Sequence, residues 1–173
     1  MNEEALRYLM GFAVGVFAVV VVRVFIRKKR GTCHKNYDER QKVIQGKAYK
    51  IGFFVMVLYF VVNGLACMIY GNWLNVFNMN FIGVCLGIGS YACYAIINDA
   101  YISIKSKASY YLFLFMIVAV INIGCYYINK CVYNEPDEVF ITNLICGVTF
   151  AILFAVMLIK MLIDKHTAKK EML

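Results

Sequence analysis

Proline, charge and paired cysteines are all scarce in this chain, and each scarcity removes a class of protein. Among 173 residues there is one proline, Pro136, which excludes Pro-rich linkers and collagen-like repeats. Charged residues make up 16% of the chain, against roughly 25% in soluble domains. Histidine occurs only at His34 and His166. With Cys33 they give three zinc ligands, one short of a closed structural site, and without its spacing. The cysteines are Cys33, Cys67, Cys85, Cys93, Cys125, Cys131 and Cys146, and none forms a C-x-x-C pair. Neither a secreted disulfide framework nor a C-x-x-C redox centre is written here. No catalytic, cofactor or metal motif stands out, and the reading leans away from an enzyme.

What the chain does have is apolar surface: 62% of its residues are hydrophobic, where soluble domains carry roughly 45–50%. The excess gathers in five runs, at about 8–26, 51–70, 79–98, 110–128 and 139–159. About 20 apolar residues in a helix cross a hydrocarbon core of about 30 Å. Lipid offers the backbone no partner, so helices are the expected form. The sequence predicts an all-α fold, a polytopic bundle of five transmembrane helices in a single membrane domain. The first run follows the acidic stretch Asn2-Glu3-Glu4 and ends in Arg27-Lys28-Lys29-Arg30, not in a small-residue cleavage site. Those flanks predict a retained anchor with its N-terminus exported.

The loop charges orient the rest. With the N-terminus outside and the C-terminus in the cytoplasm, sixteen of the eighteen Lys and Arg residues fall inside, leaving Arg7 and Lys130 outside. Every loop then obeys the positive-inside rule. The net charge of +8 is thus a topology signal, and no module for nucleic acid accompanies it. Tyr70, Trp73, Tyr126 and Tyr127 are expected at the outer interface, and Tyr49, Tyr101, Tyr110 and Tyr111 at the inner one.

The basic cytoplasmic loop, 27–50, is the most distinctive stretch. Arg27, Lys28, Lys29 and Arg30 directly follow a span and attract anionic inner-leaflet lipid at about 1 kcal/mol per basic residue. Further on, Asp38 and Gln41 have the spacing of a capping box. A helix starting there runs straight into the second span. Its Glu39, Arg40 and Lys42 alternate in sign beside an apolar edge of Val43 and Ile44. The segment is expected along the inner leaflet or against a partner helix. Asp38, Glu39, Arg40 and Lys42, with the four basic residues before them, are the candidate contacts to a protein partner or to lipid.

Tyr37-Asp38-Glu39-Arg40-Gln41, followed by Gly46-Lys47-Ala48-Tyr49-Lys50, resembles a juxtamembrane motif of small, uncharacterised bacterial multi-spanning membrane proteins. The match covers about fourteen residues. Such proteins are often encoded beside small helix-turn-helix regulators, so the resemblance implies a regulator of that kind as a partner. It implies no activity and no catalytic residue.

Inside the spans, small residues recur four apart: Gly11 and Gly15, Gly83 and Gly87, and Gly147, Ala151 and Ala155. Such spacing lets helices approach closely, within the bundle or between two copies. Asn63, Asn122 and Asn143 fall in the outer halves of their spans. They serve either as helix–helix glue or as the lining of a small polar pocket open outward. No Asp, Glu, Lys or His lies near a span centre, which disfavours ion-coupled transport. An offset of 60 residues aligns Phe53, Met56 and Gly64 with Phe113, Met116 and Gly124, and Gly87 with Gly147. That offset suggests two duplicated hairpins with the first span added. The stretch from Trp73 to Asn80 is uncharged and reads either as a plain loop or as a dip back into the bilayer.

These features favour a small integral protein of a bacterial cytoplasmic membrane. Its expected role is non-enzymatic: an accessory or regulatory partner acting through the basic loop. A small transporter or channel component using the asparagine pocket is the alternative, and a membrane-embedded enzyme the second.

Overall fold

The computed structural model describes residues 37–103, 108–133 and 137–171. The first apolar run, Arg27 to Arg30, Cys33 and His34 lie outside them. The described residues are helical throughout apart from short connections. Helix α1 is Glu39–Tyr70, α2 is Val76–Ile97, α3 is Ala108–Ile128 and α4 is Asp137–Glu171. All four are long and apolar enough to cross a membrane.

Their ends follow from local chemistry. At the start of α1 the Gln41 side chain accepts a hydrogen bond from the Asp38 N–H at 3.2 Å, the reaching-back arm of the capping box. Helix α1 stops at Gly71, whose φ of +79° suits a residue without Cβ. Helix α2 opens with Asn75 as N-cap, its side chain accepting from the Asn78 N–H at 2.8 Å. The Trp73–Asn80 stretch is therefore a short connection that is already helix from Val76. At the far end of α2, Asp99 sits at φ +58°. The Asp99 N–H bonds the Ile96 carbonyl at 3.2 Å, and the Ala100 N–H bonds the Ala95 carbonyl at 2.8 Å. This is a Schellman stop with aspartate where glycine is usual. Helix α3 runs on into one π-turn, Asn129–Tyr133, with Lys130 over the Tyr126 ring at 5.8 Å.

The helices form an open layer in the order α1, α2, α4, α3. Among the described residues the backbone of α1 comes close to that of α2 alone, and the backbones of α2 and α3 stay apart. The core gathers where α2, α3 and α4 meet, around Ala92, Ile96, Phe115, Leu153 and Met157. Helix α1 joins this group through close backbone approach. A Cβ on Gly52 would lie 2.6 Å from the Gly87 carbonyl oxygen, and one on Gly83 would lie 2.7 Å from the Tyr59 ring. On the other side, a Cβ on Gly147 would meet Ile123 at 2.6 Å. Glycines singled out by spacing thus face neighbouring helices within the chain, while Gly11 and Gly15 lie outside the described residues. The layer order is unchanged if α1 and α2 are exchanged with α3 and α4. The glycine contacts are not equivalent, however: Gly87 meets Gly52 and Met56, whereas Gly147 meets Ala119 and Ile123.

Only 6% of the apolar stretch of α1 is buried against protein. Phe53, Phe54, Leu58, Val61, Val62 and Leu65 are all more than half exposed. Such a continuous apolar face fits a helix solvated by lipid.

Candidate functional site

The densest polar arrangement lies at one end of the layer, around the turn after α2. Helix α1 begins there and α4 passes beside it. The first turns of α1 place Gln41, Ile44, Gln45 and Ala48 on the inward side, with Ala48 fully buried. Residues three and four apart share a helix face, so Glu39, Lys42, Lys47 and Lys50 point away and are exposed, while Arg40 is exposed at the edge of the turn.

The two glutamines grip the turn by its backbone. Gln41 Nε2 donates to the Asp99 carbonyl at 2.7 Å and to the Ile102 carbonyl at 3.2 Å. Gln45 Nε2 donates to the Ala100 carbonyl at 2.7 Å, and the Tyr37 hydroxyl reaches the Tyr101 carbonyl at 3.4 Å. A Schellman stop leaves carbonyls pointing past the helix end, and these amides satisfy them. From the opposite side comes Lys160 of α4, 3.1 Å from Asp99 Oδ2 and 2.7 Å from Asp164 Oδ1. Helices α1 and α4 do not touch among the described residues, so the turn is the bridge between them.

Electrostatics follow the geometry. The hydrogen bond to Asp164 raises the Lys160 pKa above its ordinary 10.5; partial burial opposes the rise and the Asp99 contact adds to it. Burial pushes the Tyr101 phenol above its usual range, with Tyr111 and Tyr37 adding to it. Tyr101 packs edge-on to Tyr111 at 6.0 Å and tilted against Phe115 at 5.8 Å, while Tyr49 stacks on Tyr91 at 4.4 Å.

Two hollows flank Asp99. One of 140 Å³ is lined by Asp38, Arg40, Gln41, Asn98 and Asp99. The other, 280 Å³, lies between the turn and α4; Asp99, Lys160 and Asp164 line it together with Ile96, Met157 and Met161. A larger apolar groove of 430 Å³ runs between α2 and α4, beside Cys85, Ser90, Cys93 and Thr149.

The sequence-predicted residues are distributed unevenly over this frame. Asp38 and Arg40 meet at the smaller hollow, whereas Glu39 and Lys42 stand exposed on the free face of α1. Arg27, Lys28, Lys29 and Arg30 lie outside the described residues. Of the asparagines, Asn63 accepts from the Trp73 indole N–H at 2.8 Å. Asn122 donates to the Val118 carbonyl of its own helix at 2.8 Å, and Asn143 is half-buried on α4. The structure does not join Asn63 to Asn122, because α1 and α3 make no contact among the described residues. The glue between α2 and α4 is instead Thr142, whose hydroxyl lies 2.6 Å from Oδ1 of the buried Asn78.

Sequence reading missed the clamp formed by Gln41, Gln45, Asp99 and Lys160. One signal was present: two uncharged glutamines spaced four apart in a segment otherwise rich in charge, a spacing that sets them on one face. No protein-family model matches the chain, and neither a curated protein nor a solved structure matches it.

Proposed function

We propose that this chain is a small integral protein of a bacterial cytoplasmic membrane. It crosses five times, with its N-terminus outside and its C-terminus in the cytoplasm. It serves as a non-enzymatic accessory or regulatory partner of another protein, docking through its basic cytoplasmic face. Four described helices of membrane-spanning length and apolarity support the membrane reading. The bias of Lys and Arg toward one side supports the orientation.

One observation carries the docking reading. Helix α1 has 32 residues and α4 has 35, about 48 Å and 52 Å at 1.5 Å per residue. A hydrocarbon core needs only about 30 Å. Gln41, in the first turn of α1, and Lys160, about two-thirds of the way along α4, bind the same turn, so α4 runs on past that turn while α1 begins at it. The result is a braced first turn of α1 beside a projecting end of α4, with Arg40, Lys42 and Lys47 exposed on the one and Lys165 and Lys170 on the other. Cationic side chains on a braced support suit an acidic protein surface or anionic headgroups. A helix that merely crosses needs neither the extra length nor the clamp.

The test is capture of partners from native membranes in mild detergent, with wild type beside Arg40→Glu/Lys42→Glu. A stoichiometric partner that the reversal removes, with membrane insertion unchanged, supports the reading. Equal capture by both proteins, or a wild type that emerges alone, refutes it.

A further inference from the structure

We propose that the turn after α2 is a latch closed on Asp99, through which a partner seated on the basic first turns of α1 stiffens the basic end of α4, and the reverse. The latch gives the docking face its regulation and rests on that reading for its use, but its closure is a property of the chain alone.

Asp99 is held from two sides. Gln41 Nε2, in the first turn of α1, donates to its carbonyl at 2.7 Å, and Lys160 Nζ of α4 lies 3.1 Å from its Oδ2. These grips come from two helices whose backbones stay apart among the described residues. What orders one of them therefore reaches the other through Asp99. Gln45 reinforces the α1 side at the next carbonyl, that of Ala100, at 2.7 Å. Exposed basic residues accompany both grips: Arg40 and Lys42 beside Gln41, and Lys165 beyond Lys160.

The latch can open because each charged member has a substitute for the other. Asp99 stands at φ +58°, a backbone that is costly for a residue with a Cβ, so its contacts, not its own preference, keep it there. Its side chain is 64% exposed and is hydrated when Lys160 lets go. Lys160 in turn keeps Asp164, four residues along its own helix, at 2.7 Å. Opening therefore strands no charge, and an ion pair this exposed is weak. A turn balanced in this way is biased by anything that fixes Gln41 or Lys160, and the influence runs equally in both directions.

A double-mutant cycle on the full chain in mild detergent tests the latch. The unfolding equilibria of wild type, Gln41→Ala, Lys160→Met and the double variant are expected to depart from additivity by about fivefold. The double variant should lose less than the two single variants together, because the second cut meets a latch already open. In an Asp99→Gly background the turn is relaxed and the carboxylate is gone, so the same cycle should become additive. Gln41→Ala combined with Lys165→Met, which alters an exposed residue of α4, should be additive from the start. Hydrogen exchange in Lys160→Met should quicken at residues 39–45, across the latch from the substitution. Additive losses for Gln41 and Lys160 overturn the latch, as does unchanged exchange at 39–45. So does a coupling that persists in Asp99→Gly or appears equally with Lys165→Met. A chain that captures no partner from membranes fails the docking reading and leaves the cycle to decide the latch by itself.

Discussion

The Gln41 amide nitrogen lies 2.7 Å from the Asp99 carbonyl oxygen across 58 residues of chain. The other end of the same amide accepts from the Asp38 N–H. One side chain therefore both starts α1 and holds the end of α2, which ties the onset of α1 to the turn.

Gln41→Ala should destabilise the protein by about 1–2 kcal/mol, since two carbonyls lose their donor and the cap loses its acceptor. Thermal unfolding in detergent reads the total. Hydrogen exchange should show faster loss of protection at residues 39–43 and 98–103 together. Acceleration at only one of the two segments would mean that they are not coupled.

The left-handed conformation at Asp99 separates two effects. Asp99→Gly and Asp99→Ala both remove the carboxylate facing Lys160. Only alanine meets the steric cost of that backbone, about 1–2 kcal/mol. The alanine variant should melt below the glycine variant, and identical melting temperatures would show that the turn is not strained by a side chain.

Lys160 supplies a pH signature. Its folded pKa is raised above 10.5, so its contribution is fully present below that pH and is lost as pH climbs through the folded value. The stability difference between wild type and Lys160→Met should be flat from about pH 6 to 9, at about 1 kcal/mol or less for a partly exposed pair. It should shrink in more alkaline buffer. A difference that grew toward high pH would contradict the assignment.

Glycine substitutions test the α1–α2 contact. Gly52→Ala drives a methyl toward the Gly87 carbonyl at 2.6 Å and should cost about 1–3 kcal/mol. Gly64 meets nothing within 4 Å, so Gly64→Ala should be neutral or stabilising by about 0.5–1 kcal/mol. Equal effects at the two positions would exclude close packing at Gly52.

Orientation is checked with native thiols. Cys125 and Cys131 are exposed at the end of α3 away from the Asp99 turn. An impermeant maleimide applied to intact cells should label them and leave Cys33 unmodified until the membrane is opened. The reverse pattern would invert the topology.

Length and hydrophobicity made the helices legible. The runs expected at 51–70, 79–98, 110–128 and 139–159 lie within or overlap the four observed helices, because crossing lipid imposes one length and one composition. The Asp38–Gln41 spacing likewise marked where α1 begins. Packing order was not legible. Apolar residues surround every span, so periodicity gives no inward face. The α1–α2 contact depends on two glycines 35 positions apart, and only their three-dimensional register pairs them. The clamp was hidden for a related reason. Its acceptors are backbone carbonyls of the 99–102 turn, which the sequence letters do not record. Lys160 and Asp164 showed their four-residue spacing, but Asp99, the third member, comes from a different helix end.

The layer order has a consequence for biogenesis. Helix α4 is the last of the four to be made, yet it lies between α2 and α3, whose backbones stay apart among the described residues. While the ribosome is still upstream of Asp137, the described part of the nascent chain holds an α1–α2 hairpin and an α3 whose backbone lies beside neither of those helices. Arrival of α4 closes both seams at once and brings Lys160 to the waiting Asp99. Completion of α4 is therefore the step at which the described bundle can close.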